Sequence, residues 1–263
     1  MKHKKIFMTV LFIIVLVFTG IFGFKKFSLN KPKTIEVAPC TSVPDFAKTK
    51  TVQEKINLFG NFLKPIANSE NNIILSNRVK LKNIEKFHKF NKKNITWLNS
   101  KAEYYRINEF SYKNKEDLLK LKNRMDIIPT PIILSQAAIE SAWGTSGFAQ
   151  RGNNLFGMRT LNQKEGFVPK ERPKGARFRV AKYSTVNQSV RIYLRTLNTL
   201  SEYDNLRVIR ENFRKKHEPI DPYILAEGLV NYSGLGEKYV RMVQRTMKHF
   251  YNENAPKPSD KMD

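Results

Sequence analysis

At 263 residues the chain suffices for one large or two small domains, and its 41% hydrophobic content supports a genuine core. A formal net charge of +24 favours an anionic partner: nucleic acid, anionic lipid, or an anionic polymer such as cell-wall material. A single cysteine, Cys40, excludes an intrachain disulfide framework and a four-cysteine metal site.

Residues Ile6 to Phe24 form an uncharged apolar run enclosed by lysines. At about 1.5 Å rise per residue that run just crosses a hydrocarbon core. It is longer than the core of a usual secretory signal and is followed by no small-x-small cleavage site, so an uncleaved transmembrane anchor is expected over 6–24. Lys2, Lys4 and Lys5 favour a short cytoplasmic tail over 1–5, placing the body on the extracytoplasmic side of a bacterial inner membrane. Lys25, Lys26, Lys31 and Lys33 put as much charge on the other flank. These seven lysines precede any acid, so the remainder still carries about +17 (24 − 7).

Residues 25–45 read as a linker, with Pro32, Pro39 and Pro44 and no periodicity. A helix is expected from Val52 to Leu63, with Ile56, Phe59 and Leu63 on one stripe and Pro65 as its stop. Asn68 to Ile74 reads as a turn, and Leu75 to Phe90 as a second helix. Its Lys80, Lys82, Lys86 and Lys89 suit a solvated face, with a polyanion groove as the alternative. Together 46–112 form a helical N-terminal extension. A further helix ends near Asp126, and Pro129 and Pro131 mark the start of another. On that helix Ile132, Ile133, Ala137 and Ala138 face inward, while Gln136 and Glu140 stand one turn apart on a shared side.

Glu140 closes a mostly apolar helix and precedes a glycine-punctuated turn and the uncharged run GNNLFGM. Buried carboxyls are rare unless paired or used, so this one is a candidate proton donor, with a buried hydrogen-bonding glutamate as the competing explanation. Gly166 to Val168 and Arg177 to Tyr183 read as the two arms of a hairpin. Helices then follow from Val186 to Leu200, from Asn205 to Arg214, from Tyr223 to Leu229 behind an Asp221-Pro222 start, and from Glu237 to Phe250. Residues 254–263 are expected to form a flexible tail. The four histidines are scattered, and neither HExxH, a P-loop, a Rossmann fingerprint nor GxSxG occurs. No metal or organic cofactor is therefore implied.

The segments AAIESAWG (Ala137 to Gly144), GNNLFG (Gly152 to Gly157), FRVAKYST with NQSVRIYLRTL, and NYSGLGEKYV resemble, in that order, the bacterial glucosaminidase family that cleaves peptidoglycan, and in particular its Bax-like membrane-associated members. VPDFAKTKTVQEKINLFGNFLKPI (Val43 to Ile66) extends the likeness to the extra N-terminal part of Bax-like proteins. The resemblance implies a mainly α, lysozyme-like glucosaminidase domain over 113–253 with a small β-hairpin lobe, following the N-terminal transmembrane helix and helical extension. It carries the general-acid role to Glu140 and the cleft-facing tyrosine to Tyr232. Gln136, Trp143, Asn153, Asn154 and Phe156 are then candidates for substrate binding, although loop conformation or core packing would equally account for Trp143, the two asparagines and Phe156. Glu165, slightly ahead of Glu171, is the candidate second catalytic group; Glu237 has a sufficient structural reason at a helix start. The substrate's own N-acetyl oxygen could replace that second carboxylate.

The function these features imply is hydrolysis of β-1,4 bonds after N-acetylglucosamine in peptidoglycan glycan strands. A lytic transglycosylase forming 1,6-anhydro ends and a noncatalytic wall-binding or envelope-assembly protein are the alternatives. Nucleic acid is not expected as a partner, because the body faces outward.

Overall fold

A computed structural model describes residues 37–162, 165–170 and 172–250. The expected anchor over 6–24, the cytoplasmic tail, the first part of the linker, Glu171 and the C-terminal tail lie outside the described residues. Among the described residues no helix is long and apolar enough to cross a membrane.

Among the described residues the architecture is mainly helical with one small two-stranded sheet. In chain order the helices are α1 (Val52–Lys86), α2 (Lys92–Tyr104), α3 (Lys115–Arg124), α4 (Thr130–Glu140), α5 (Gly147–Gly152), α6 (Val186–Thr199), α7 (Asp204–Lys215), α8 (Pro222–Ala226) and α9 (Glu237–Met247). Strands β1 (Arg159–Thr160) and β2 (Arg179–Val180) stand between α5 and α6.

Helix α1 corrects the expected break at Pro65. Thr51 Oγ1 accepts from the Glu54 backbone N–H at 3.1 Å, and Glu54 Oε2 accepts from the Lys50 N–H at 2.8 Å, a reciprocal start to the helix. From there 35 residues run without interruption through Pro65. Ile56, Phe59, Leu63, Ile66, Ala67, Ile74, Leu81 and Ile84 are buried along this single element, so packing on both sides of the proline outweighs the local cost of a lost helical hydrogen bond. The segment read as a turn, Asn68 to Ile74, is the buried polar stretch of the same helix. Glu70 takes both oxygens to Arg191 of α6, at 2.9 Å each, and Asn71 Nδ2 donates to the Ile128 carbonyl at 2.8 Å. Tertiary partners let a turn-like composition remain helical.

The hairpin also differs in detail. Val180 does face Phe167, through a single bridge with two 2.8 Å backbone bonds. The ladder itself, however, pairs β2 antiparallel with β1, Arg159 opposite Val180 and Thr160 opposite Arg179. Two residues are too few to show an alternating pattern in sequence. Helix α2 was equally hidden, since only Leu98 and Ala102 of its thirteen residues are buried. The expected start of α8 is present: Asp221 Oδ1 accepts from the N–H groups of Tyr223 and Ile224.

The described end of the linker is docked rather than loose. Cys40 donates its N–H to Asn187 Oδ1 at 2.9 Å and accepts from the Val186 N–H at 2.8 Å, while Val43 and Phe46 are buried. Helix α4 is central to the body, packing chiefly on α9 and next on α1. Its Ile132, Ile133, Ala137 and Ala138 are all fully shielded from solvent, as their pattern predicts. This places the end of α4, and Glu140 with it, against the inner face of α9.

Candidate active site

Three local features fix Glu140. It is the last residue of α4, and the backbone then turns into left-handed geometry at Ala142, Trp143 and Gly144 (φ 51°, 59° and 78°). Two of these are not glycine, so the turn is strained and must be held from outside. Ser141 supplies part of that hold: its hydroxyl donates to the Ala137 carbonyl at 2.6 Å and accepts from the Gly144 N–H at 2.7 Å. The Trp143 indole supplies another part, seated edge-on to Phe59 at 5.7 Å and beside His249 and Phe250.

The side chain of Glu140 is half-buried, and one oxygen is fully engaged. The Tyr239 hydroxyl of α9 donates to Glu140 Oε1 at 2.7 Å. Gln136 Nε2 donates to that same hydroxyl at 3.0 Å, and the Tyr193 hydroxyl of α6 donates to Gln136 Oε1 at 2.6 Å. The result is a continuous relay, Tyr193 to Gln136 to Tyr239 to Glu140, contributed by three helices. Glu140 Oε2 lies toward Gly157, where a built Cβ would stand 3.6 Å from it. Gly157 has φ +63° and leaves this side of the carboxyl uncrowded.

Burial pushes the Glu140 pKa above the ordinary glutamate value, with the Tyr239 hydrogen bond opposing the rise. Burial, and then the Glu140 charge, raises Tyr239, so its hydroxyl stays protonated and acts as a donor. Tyr203 is pushed up to about 12, by burial first and by Glu202 and Glu140 after it. A protonated Glu140 can therefore keep Oε1 in the relay while Oε2 carries a transferable proton.

The candidates from the sequence fall into distinct places. Gln136 joins Glu140, but as a fully buried member of the relay. Tyr232 stacks on Tyr239 at 5.3 Å with an interplanar angle of 9°, and its hydroxyl donates to the Phe156 carbonyl at 3.1 Å. Phe156 is buried and stacks on Tyr193 at 4.0 Å, so it backs the relay as core. Asn153 caps α5 in left-handed geometry, and its Nδ2 donates to the carbonyls of Thr41 and Tyr183. Asn154 Nδ2 donates to the Met158 and Ala181 carbonyls, and its Oδ1 accepts from the Phe156 and Met158 N–H groups. Both amides are thus engaged in shaping the loop that carries Gly157. Trp143 buttresses the turn, and Glu165 is exposed at the start of the hairpin segment. No contact among the described residues ties Glu165 to the Glu140 cluster.

Tyr239 and Tyr193 were legible only as inward-facing helix residues. The signal for more was present, because a tyrosine on a core face must find a partner for its hydroxyl. Gln136 and Glu140, one turn apart, were the polar groups available. Among the described residues no group of three His, Cys, Asp or Glu side chains could hold a metal ion.

A mainly helical body with a small hairpin thus holds Glu140 half-buried at the end of α4, its pKa raised by burial. Residues 115–252, just over half of the chain, match the family model of glucosaminidases, described as mannosyl-glycoprotein endo-beta-N-acetylglucosaminidase, and the chain belongs to that family. It is also 28% identical over 215 residues to Protein bax of Escherichia coli (strain K12), covering 82% of this chain and 74% of that protein. No solved structure gives a significant match.

Proposed function

We propose that the protein is an endo-β-N-acetylglucosaminidase that hydrolyses β-1,4 bonds after N-acetylglucosamine in peptidoglycan, with Glu140 as general acid. The observation that carries this reading is the asymmetric setting of Glu140, with Oε1 held by Tyr239 and Oε2 toward Gly157. Glycoside cleavage needs a protonated carboxyl at the leaving-group oxygen, and the shielded position favours the protonated form. Tyr232 braces the Gly157 loop through the Phe156 carbonyl and stacks on the tyrosine that holds the acid, an arrangement that suits a role in keeping the site's shape. Gln136 acts on the acid through Tyr239, whereas Trp143, Asn153, Asn154 and Phe156 act through the backbone and core that surround it.

Glu165, exposed at the start of the hairpin segment, is the second catalytic group in this account. If the substrate's N-acetyl oxygen attacks instead, replacing Glu165 by Gln leaves turnover nearly intact. The basic and apolar N-terminal segment supports an anchored protein whose catalytic body works outside the cytoplasmic membrane, and the +24 charge favours approach to the anionic wall.

A second reading is favoured by the same gathering of groups, since Glu140 is the one carboxylate in the relay. A lytic transglycosylase with a single acid/base glutamate would also use it. Digestion of purified peptidoglycan followed by mass spectrometry separates the two. New reducing N-acetylglucosamine ends support hydrolysis, 1,6-anhydro-N-acetylmuramic acid ends support transglycosylation, and uncleaved glycan supports a noncatalytic wall-binding protein.

A further inference from the structure

A cavity of about 190 Å³ opens between α1, α2 and α6, and none of its lining residues belongs to the Glu140 relay. Its charged lining is Glu70, Lys101, Arg191 and Arg195. Glu70 and Arg191 close on each other with two 2.9 Å bonds, so their charges compensate within the wall. Lys101 and Arg195 remain, and neither forms an ion pair among the described residues.

Arg195 is held in place with most of its donors left over. Its Nε donates to the Tyr104 carbonyl at 2.6 Å, and its guanidinium lies 4.9 Å from the centre of the Tyr104 ring. Neither Nη group has an acceptor among the described residues. The Lys101 ammonium stands 6.0 Å from the Tyr104 ring and 5.9 Å from that of Trp97, and it too has no hydrogen-bond acceptor among the described residues. Burial, and then Lys80, pushes Lys101 below the ordinary lysine value, as happens to a cation drawn out of water without a counter-charge. Asn198, fully buried, lines the same cavity. Its Nδ2 donates to the Asp126 carbonyl at 2.8 Å, while its Oδ1 has no donor among the described residues.

An ammonium and a guanidinium select an anion, and the two parallel Nη donors match the planar edge of a carboxylate. The Glu70 carboxylate in the same lining disfavours a dianion. A buried acceptor without a donor is completed by an N–H or O–H group brought from outside. Ile73, Ile74 and Leu194 give the cavity an apolar side. Its volume lies below the usual range for ligand sites, so it suits a small molecule or the end of a longer one. We propose that this cavity binds an amino-acid unit, its carboxylate on Lys101 and Arg195, its N–H on Asn198 Oδ1 and its side chain against Ile73 and Leu194. With two cations facing the ligand, an uncharged amide N–H fits better than an ammonium, which favours the C-terminal residue of a peptide over a free amino acid. The site is separate from the proposed bond-cleaving centre and stands or falls independently of it.

The test is calorimetric titration of the full chain, purified in a non-ionic detergent, with N-acetylalanine, alanine, acetate, inorganic phosphate and 2-acetoxypropanoate at matched ionic strength. In 2-acetoxypropanoate an ester oxygen replaces the N–H of N-acetylalanine and the carboxylate is kept. N-acetylalanine is expected to bind about tenfold more tightly than this ester, because only the amide completes the buried Asn198 acceptor. Acetate and phosphate should bind more weakly still. Lys101→Gln should weaken N-acetylalanine binding by about tenfold through loss of a charged donor. Lys248→Gln, at an exposed residue outside the cavity, should leave it unchanged. Tighter binding of N-acetylalanine than of alanine identifies a peptide end as the source of the ligand, and the reverse order a free amino acid. Absence of N-acetylalanine binding, equal binding of the ester or of phosphate, or equal loss in the two lysine variants overturns the site.

Discussion

The Tyr239 hydroxyl donates to Glu140 Oε1 at 2.7 Å while accepting from Gln136 Nε2 at 3.0 Å. This contact links the end of α4 to α9 and offsets part of the rise that burial gives the Glu140 pKa. Because the hydrogen bond favours the ionised carboxyl, Tyr239→Phe is expected to raise the Glu140 pKa further. The alkaline limb of the pH–rate profile should move to higher pH, with turnover at the optimum falling about tenfold as the carboxyl loses its orientation. Stability should drop by about 1–3 kcal/mol, since the buried Gln136 amide loses its acceptor. Measured pH profiles and denaturant melts of the two proteins check both parts.

Glu140 also predicts a pH dependence of stability. Its folded pKa is raised above the unfolded value, so its contribution to stability is fully present below the ordinary glutamate value of about 4.3 and is lost as pH rises through the folded pKa. Glutamine does not titrate. The Glu140→Gln variant should therefore gain in melting temperature relative to the wild type between acid and neutral pH, as scanning calorimetry across that range would read. A difference that shrinks toward neutral pH contradicts the raised pKa.

Asp126 carries the opposite sign. Against the burial that would raise it, Arg78, Arg210 and Arg214 hold its carboxyl below the usual aspartate value. That stability is present above an unfolded pKa of about 3.9 and is lost as pH falls through the folded pKa. Asp126→Asn leaves three guanidiniums around a neutral amide and should cost about 3–5 kcal/mol by chemical denaturation at neutral pH.

Pro65 sits on the solvent side of α1, inside a helix that continues past it. Pro65→Ala restores a backbone N–H and removes no buried surface. It should stabilise the protein by about 1–3 kcal/mol, less than the full helix-propensity difference because alanine also loosens the unfolded chain. A fall in stability would show that the proline supports a bend in α1.

Apolar spacing made α6 and α9 readable, because their buried residues recur at helical intervals and face one core, whereas α4 was readable from its nearly continuous apolar run, buried from Ile132 to Ala138. The same approach failed for α1, where Ser69, Glu70 and Asn71 looked like a turn until their partners on other elements were known. Strand β1 was too short to carry a period. At the site, Glu140 stood out as a carboxyl on an apolar helix, whereas Tyr193 and Tyr239 looked like ordinary core residues. Their hydroxyl partners are 57 and 103 positions away, a distance that local sequence patterns do not span.

The central claim is that one proton on Glu140 breaks the glycosidic bond. Its most direct test is digestion of purified peptidoglycan by the wild type and by Glu140→Gln, with circular dichroism establishing that both are folded and mass spectrometry identifying the products. The account predicts new N-acetylglucosamine reducing ends from the wild type and a loss of at least about a hundredfold in the variant. Undiminished cleavage by a well-folded Glu140→Gln protein would contradict it.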